Sequence, residues 1–246
     1  MKQIILILVV SGFFIGCSEN NINEQKFLGA NGNPKLIKDT KYKAIEKFGE
    51  VTEQDIDEVL YYEFDKHGHI QKEIKYDSDG DIIYSETNTF EDGKWIESTT
   101  YHKYINEVTT TYKLKNRTSK SEIWEGKTSE GKTITLYRKY EYLKLAMVRK
   151  DFDDNIVTKI EQITDDNGNI VEYKAYEKGE VVYWYKSTFK DKSQEIERKM
   201  LSDYDKGIYT YQYGSFDKNG NWTKKIERKD EKIESITIRK ITYKYE

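Results

Sequence analysis

Three histidines and two acidic loops are the groups in this sequence whose chemistry suits a metal ion. His67 and His69 flank a glycine, and His102 is the third histidine. A zinc site takes at least three protein ligands, and the sequence places no third one beside this pair, so a solvated loop explains the pair better. Residues 77–81 and 165–169 offer oxygens to calcium, but their glycine comes too early for an EF-hand and no glutamate closes either loop. Turn formation explains both loops, and we expect neither a metal nor another cofactor.

Residues for covalent or acid–base catalysis are equally hard to name. The sequence has no Gly-x-Ser-x-Gly motif and no phosphate-binding loop, and Cys17 is its single cysteine. With 44 Asp and Glu residues in the chain, any proposed acid and base pair would be arbitrary. We therefore expect a protein that is not an enzyme.

Aromatic side chains are further candidates for a binding site. Tyr209, Tyr211 and Tyr213 alternate along the chain, which places them on one face of a β-strand. Rings on an exposed face could stack on a sugar or contact a protein, whereas rings on a buried face would form ordinary core packing. Both interpretations stay open at this point. The candidate ligand-facing aromatics are Tyr183, Tyr185, Tyr209, Tyr211, Tyr213 and Trp222.

Residues 1–16 have the features of an export signal. Lys2 precedes an apolar run over residues 4–15 that is too short to span a bilayer comfortably. Phe14-Ile15-Gly16-Cys17 then resembles the lipobox of bacterial lipoproteins. That resemblance implies cleavage before Cys17, acylation of its sulfur and a firm lipid anchor in a membrane. Ser18 favours the outer membrane over the inner one by resemblance to known sorting patterns, and the side of the membrane is left open.

The rest of the chain divides into a tether and a repetitive β-domain. Residues 17–40 are polar and rich in asparagine and glycine, which is typical of a flexible tether, and Gly32 lies in it. Residues 41–246 form the β-domain, as one or two subdomains. Residues 50–60 show features of both a helix start and a strand, and we leave them unassigned.

Short turns recur through the β-domain. Each has aspartate first and glycine fourth, as in residues 65–68, 77–80, 165–168 and 217–220. This pattern suits a turn in which the carboxylate caps the backbone and the glycine takes a positive φ. Between the turns, apolar residues alternate with charged ones, which is the period of a strand with one buried face. The sequence predicts an all-β fold, an antiparallel meander of short hairpin repeats that forms an extended or curved sheet.

Two stretches of the β-domain resemble known repeats. Residues 216–224 read Phe-Asp-Lys-Asn-Gly-Asn-Trp-Thr-Lys, with Arg239 and Tyr243 downstream, and are similar to the YD repeats of RHS-like lipoproteins from Bacteroidetes. Residues 176–184 resemble, more weakly, the MORN-like repeats of some antitoxin proteins. The first resemblance covers most of the β-domain and implies the same hairpin architecture.

These observations lead to a functional expectation with one alternative. We expect a non-catalytic cell-envelope lipoprotein, a binding or structural module whose partner is a glycan or an envelope protein. The alternative is an immunity or antitoxin-like protein against an RHS-type toxin. The net charge is −3 with both signs interspersed, so we expect no nucleic-acid partner.

Overall fold

Sixteen antiparallel strands make up the part of the chain that the structure describes. This computed structural model describes residue 28 and residues 30–103, 108–141, 144–150, 156–167, 169–177, 179–190, 194–202 and 205–244. The export signal over residues 1–16 and the lipid attachment residue Cys17 lie outside the described residues. The strands are β1 (Pro34–Lys47), β2 (Glu50–Phe64), β3 (Ile70–Tyr76), β4 (Ile82–Glu91), β5 (Lys94–His102), β6 (Val108–Arg117), β7 (Ser121–Thr128), β8 (Thr133–Glu141), β9 (Lys144–Lys150), β10 (Ile156–Thr164), β11 (Ile170–Glu177), β12 (Glu180–Lys190), β13 (Gln194–Ser202), β14 (Lys206–Phe216), β15 (Trp222–Lys229) and β16 (Lys232–Tyr243). Within this described part, no helix is long and apolar enough to cross a membrane.

The strands form one sheet that closes on itself as a barrel. Each strand pairs antiparallel with the next along the chain, and β16 returns to pair with β1, where Asp39 lies opposite Arg239. The all-β antiparallel meander is therefore confirmed, but the extended or curved sheet is wrong. An open meander would leave the outer edges of β1 and β16 with unpaired backbone groups, and closure pairs those groups with each other.

The aspartate turns have the geometry that their sequence predicts. Between β14 and β15, the Asp217 carboxylate accepts hydrogen bonds from the backbone amides of Asn219 and Asn221, at 2.8 and 3.0 Å. Gly220 has a φ of 78°, in the left-handed region that favours glycine. The same two amide bonds recur in the loops that begin at Asp65, Asp77 and Asp165. The repeated motif is therefore a device for closing hairpins.

The few residues described just before β1 pack against the barrel, and the tether does not extend to residue 40. β1 begins at Pro34, so the boundary between residues 40 and 41 is wrong. Ahead of the strand, the Asn31 amide donates to Asn221 Oδ1 at 2.6 Å, and Asn221 Nδ2 donates to the Asn31 carbonyl at 3.1 Å. The unassigned residues 50–60 lie within β2. The first described residues thus belong to the barrel.

This packing changes the stability expected for glycine variants. The tether assignment implied that Gly220→Val should cost more than Gly32→Val, because a tether residue can choose another conformation. In the structure Gly32 also has a positive φ, 83°, and a Cβ added there would lie 2.8 Å from Asn219 Nδ2. A Cβ at Gly220 would meet nothing within 4 Å.

We now expect Gly32→Val to lower the melting temperature at least as far as Gly220→Val. Both variants carry about 1–3 kcal/mol of backbone strain, and Gly32→Val adds a steric clash. Thermal melts of the two variants test this order. A parent-like melt for Gly32→Val would contradict the packing of residues 30–33 against the last turn.

Alternation along the strands gives the barrel an inward face that carries its most deeply buried side chains. Trp124, Ile37 and Leu136 are only 0 to 3% exposed on that face. The larger apolar cluster lies on β5 to β11 and comprises Trp95, Tyr112, Trp124, Ile134, Leu136, Tyr140, Leu145, Met147, Ile160, Ile170, Tyr173 and Ala175. A smaller cluster near the start of the described chain comprises Ala30, Ile37, Tyr62, Phe64 and Ile70.

The outward face is charged on many strands. Residues that flank buried positions point outward, because successive side chains of a strand alternate between faces. Four lysine–glutamate pairs occupy such positions, with N–O distances of 2.7 to 3.1 Å. They are Lys113 with Glu97, Lys115 with Glu125, Lys159 with Glu161 and Lys174 with Glu172. The outer surface of the barrel therefore carries charged side chains on many strands, with scattered exposed apolar residues such as Leu201 and Ile208 among them.

Candidate functional site

The aromatic residues that the sequence singles out lie on the inward face of the barrel. On β14 the alternate residues Thr210 and Gln212 are exposed, whereas the tyrosines beside them are not. The tyrosines of β14 do share one face, but the barrel encloses it, so the exposed binding face considered for them does not exist. Tyr209, Tyr211 and Trp222 are 8 to 9% exposed, and Tyr183, Tyr185 and Tyr213 are half-buried.

Tyrosines of β11 and β12 form the start of an inner aromatic wall. The Tyr173 and Tyr185 rings stack with their centroids 5.3 Å apart. Tyr183 lies edge-on to both rings, at 5.7 and 6.0 Å. Pairs in these arrangements contribute about 0.5–1.5 kcal/mol beyond the burial of their area. Since Tyr173 belongs to the larger apolar cluster, this wall continues directly from the core.

Beyond Tyr185, rings and cations alternate across the inner wall from β12 to β16. The Arg198 guanidinium lies 4.7 Å from the Tyr185 ring centroid and 6.0 Å from that of Tyr211. The Lys225 ammonium lies 5.3 Å from the Tyr211 centroid and 5.5 Å from that of Trp222. The Arg239 guanidinium lies 3.7 Å from the Trp222 centroid. Cations within about 6 Å of a ring are attracted to its face. We call Tyr185, Arg198, Tyr211, Lys225, Trp222 and Arg239 the aromatic–cation ladder.

Two of the three ladder cations are paired with a carboxylate. Arg198 donates two hydrogen bonds to Glu195, both of 2.8 Å, and Arg239 donates two to Asp39, of 2.8 and 2.6 Å. Bidentate pairs of this kind are strong and hold a guanidinium in one orientation. The Lys225 ammonium, in contrast, makes no hydrogen bond and has no carboxylate oxygen within 4.0 Å among the residues that the structure describes. The ladder therefore contains one cation whose charge no direct contact compensates.

Burial and charge set the protonation behaviour of the ladder. Burial lowers the pKa of Lys225 below its ordinary value, and attraction to Glu227 and Asp39 offsets part of that decrease. Burial alone would also lower the pKa of Arg198, but attraction to Glu195 outweighs it and the pKa is raised. Burial raises the pKa of Tyr211, so its hydroxyl is neutral at ordinary pH. Any anion placed beside Lys225 would stabilise its charged form.

The cations of the ladder are site residues that sequence reasoning missed. Arg198 and Lys225 lie among other charged residues, and such runs are usually solvated. A usable signal was nevertheless present. Counting outward from the turn over residues 217–221 places Lys225 opposite Tyr213, and the structure has this pairing. Cross-strand partners in an antiparallel hairpin share a face, so Lys225 had to lie on the tyrosine face.

The histidines that the sequence offered to a metal are engaged in other contacts. His69 is buried, with Nδ1 3.1 Å from Asp65 Oδ2 and its ring stacked on Phe90 at 4.6 Å. The His67 ring is 6.1 Å from that of His69, and the His102 ring is 4.7 Å from that of Tyr84. Among the described residues, no three His, Cys, Asp or Glu side chains are arranged to hold a metal ion.

The carboxylates of the acidic loops are likewise occupied. Asp77 accepts the backbone amides of Asp79 and Asp81, and Lys103 Nζ lies 2.7 Å from Asp81 Oδ2. In the loop over residues 165–169, the Asp165 carboxylate accepts two backbone amides in the same way. These contacts are those of turns closed by aspartate.

Comparison with known proteins finds a similar barrel but no family. No family model matches the chain, and no curated protein matches it. Among solved structures it is similar to a porin-like protein from Bacteroides uniformis, with a TM-score of 0.51, 10% identity, and coverage of 85% of this chain and 98% of that one. It is also matched to a porin-like protein from Bacteroides vulgatus, with a TM-score of 0.36, 11% identity, and coverage of 86% and 99%. The first likeness concerns the fold, and it agrees with the closed barrel.

The closed barrel overturns the function expected from the sequence. The expectation of a module that binds a glycan or a protein through an extended sheet is wrong, because the sheet closes and the similar structure is porin-like. The immunity or antitoxin-like alternative is not favoured either. A porin-like fold is consistent with the cell-envelope address. The lipid anchor on Cys17 and the likeness to RHS repeats stay predictions.

Proposed function

We propose that this protein is a water-facing barrel of the cell envelope that holds a small solute in its lumen. The observation that carries the proposal is the aromatic–cation ladder on the inward face, which combines buried and half-buried rings with the uncompensated cation Lys225. Ligand sites typically join apolar and aromatic walls to a few polar groups that fix orientation. The chemistry-bearing residues of this chain meet that description inside the barrel.

The charged outer wall supports the water-facing part of the proposal. A barrel that spans a bilayer carries an outward apolar band about 25 Å tall. In this barrel Lys113, Lys186 and Lys199 are exposed near the middle of their strands, and Lys186 lies directly opposite Lys199. Each lysine at the bilayer midplane costs about 2–4 kcal/mol. Three such lysines would offset most of the roughly 5–15 kcal/mol that typically stabilises a folded protein.

A membrane-spanning channel is the second candidate function. Closure of sixteen strands and the likeness to a porin-like protein favour it. It requires the outward lysines to face lipid, whereas the first proposal requires them to face water. The two functions therefore differ in the surroundings of the same side chains.

Cysteine labelling separates the two functions. We expect Lys186→Cys and Lys199→Cys to react with a polar maleimide in permeabilised envelopes as fast as Ser78→Cys, which lies in an exposed turn. The unsubstituted chain, with Cys17 as its single cysteine, provides the background. Protection of both strand positions, together with ion conductance in planar bilayers, would favour the channel instead.

A luminal cysteine tests the solute-holding part of the proposal. Tyr213 is half-buried on the inward face, beside Trp222 at a ring distance of 5.6 Å. We expect a small thiosulfonate reagent to modify Tyr213→Cys in the folded protein, and a polymer-linked maleimide to fail. If the small reagent reacts only after denaturation, the lumen does not admit solutes and the proposal falls.

The remaining sequence predictions complete the proposal. The lipid anchor on Cys17, the absence of catalysis and the absence of a nucleic-acid partner are all compatible with a solute-holding barrel. An envelope protein or a glycan as a separate partner also stays a prediction.

A further inference from the structure

We infer that the aromatic–cation ladder contains a binding site for a flat organic monoanion, a single carboxylate on a planar or aromatic group, with the carboxylate placed on Lys225. This inference rests on the proposed function and names the chemical class of its solute. It follows from the charges around Lys225, from the rings beside it and from its partial burial.

The carboxylates nearest to Lys225 are each engaged by another cation. Glu195 accepts two hydrogen bonds from Arg198, and Asp39 accepts two from Arg239. Glu227 forms an ion pair with Lys41 at 3.3 Å and accepts a hydrogen bond from the Ser235 hydroxyl at 3.3 Å. Each of these three carboxylates thus has another cation as its direct partner, and the positive charge of Lys225 is left without one. One negative charge from outside would complete the set.

The pairing of these carboxylates also excludes other ligand classes. A cation would meet Lys225 without a free carboxylate to bind it. A dianion would place its second charge near Glu195, Asp39 and Glu227, which are already satisfied, so repulsion would oppose it. A monoanion is the ligand that matches one ammonium group in these surroundings.

The rings beside Lys225 determine the shape of the ligand. The ammonium lies between the rings of Tyr211 and Trp222, at 5.3 and 5.5 Å from their centroids, and Tyr213 packs beside Trp222. A carboxylate that reaches the ammonium must therefore pass aromatic surfaces on two sides. A planar group attached to it would stack on Tyr213, the half-buried ring of this group, whereas a bulky one would not fit flat against it.

Partial burial explains why an anion would gain affinity here. Lys225 is half-buried, so its ammonium has given up part of its hydration without receiving a carboxylate in return. Charged groups left in such a state are common at functional sites, because a ligand supplies the missing partner. The neighbouring Lys224 provides the contrast, since it points outward and lies 4.0 Å from Glu53.

Calorimetric titration of the full chain with benzoate and with benzamide tests the site. The two probes share a planar ring and differ in charge. We expect the parent protein to bind benzoate on the order of tenfold more tightly than benzamide, the effect of one charge-assisted hydrogen bond. Lys225→Met should remove this preference and leave benzamide binding within about twofold. Lys225→Arg, which keeps the charge, should retain the preference.

Lys224→Met is the matched control, because it removes the same charge from the opposite face of the same strand. It should leave the affinity for both probes unchanged, and melting curves should show that all three variants fold. Equal benzoate affinity in Lys225→Met and Lys224→Met would overturn the site. Equal affinity of the parent for benzoate and benzamide would overturn the anion preference while leaving a luminal solute in place. If neither probe binds, the inference fails, and the labelling of Tyr213→Cys decides the proposed function separately.

Discussion

Glu122→Gln should lower the free energy of unfolding by about 3–5 kcal/mol, because it removes the carboxylate at the centre of a buried network. Glu122 Oε2 accepts hydrogen bonds from Trp124 Nε1 at 2.9 Å and from the Tyr140 hydroxyl at 2.8 Å. Arg138 Nη1 lies 3.5 Å from the same oxygen, and Arg117 Nε donates to Oε1 at 2.6 Å. Every one of these four groups is a donor, so only a carboxylate satisfies them together.

Glutamine at position 122 replaces neither the negative charge of the carboxylate nor all of its hydrogen-bond acceptors. Glu122 and Arg138 are 3% and 2% exposed, so water cannot replace the lost carboxylate beside the guanidinium. The amide nitrogen of glutamine is itself a donor and would face donors. A buried arginine that has lost the carboxylate it contacts is costly, since water cannot take the place of that carboxylate.

Glu125→Gln is the matched control for this prediction. Glu125 lies on the same strand but faces outward, where its ion pair with Lys115 at 3.1 Å is exposed to solvent. Exposed pairs contribute about 0–1 kcal/mol, so its unfolding free energy should stay near that of the parent. Urea unfolding of both variants measures the difference. Similar losses for the two substitutions would contradict a special role for the buried network.

The pH dependence of this difference follows from the pKa of Glu122. Burial would raise that pKa, but attraction to Arg138 and hydrogen bonds from Trp124 and Tyr140 outweigh burial and lower it below 4.5. A carboxyl with a lowered folded pKa stabilises the protein above its unfolded pKa, and this stability is lost as the pH falls through the folded value. The gap between parent and Glu122→Gln should therefore be full at neutral pH and shrink once the pH drops below 4.5.

Replacing Tyr209, Tyr211 and Tyr213 together by serine should abolish cooperative folding. Truncating a buried aromatic side chain costs about 3–5 kcal/mol, so the loss of Tyr209 and Tyr211 alone reaches the roughly 5–15 kcal/mol that typically stabilises a protein. The half-buried Tyr213 adds to this loss. Tyr209 also donates its hydroxyl to Asp205. Tyr211 lies between the cations Arg198 and Lys225 of the ladder. Circular dichroism melts measure the loss.

The control for the tyrosine variant changes the residues that alternate with these tyrosines along the same strand. Thr210→Ser with Gln212→Ser changes two exposed outward residues of β14, and its melting temperature should stay within about 4 °C of the parent. If the triple tyrosine variant melted like this control, the rings would be an exposed face rather than part of the barrel interior. The inward ladder, and the solute site built on it, would then be wrong.

Local structure was largely determined by the sequence itself. The loops that begin at Asp65, Asp77, Asp165 and Asp217 close hairpins because each carboxylate caps two amides of its own turn, and glycine alone takes the positive φ without strain. Such contacts span only a few residues, so their chemistry can be predicted from the residue types. The pairing of Tyr213 with Lys225 follows from the same turn by counting, although sequence reasoning did not draw that consequence.

Only the tertiary structure decided that the sheet closes into a barrel and which face of each strand points inward. A strand in an open meander and a strand in a barrel have the same period of two, so alternation alone cannot distinguish them. The difference lies in the pairing of β1 with β16, which Asp39 and Arg239 join across 200 residues of sequence. Which face of each strand points into the barrel could not be predicted for a related reason. Both faces carry charged residues, as Lys224 outside and Lys225 inside illustrate. Only closure makes one of those faces an interior, and it thereby turns one lysine of an ordinary charged run into the unpaired cation of the ladder.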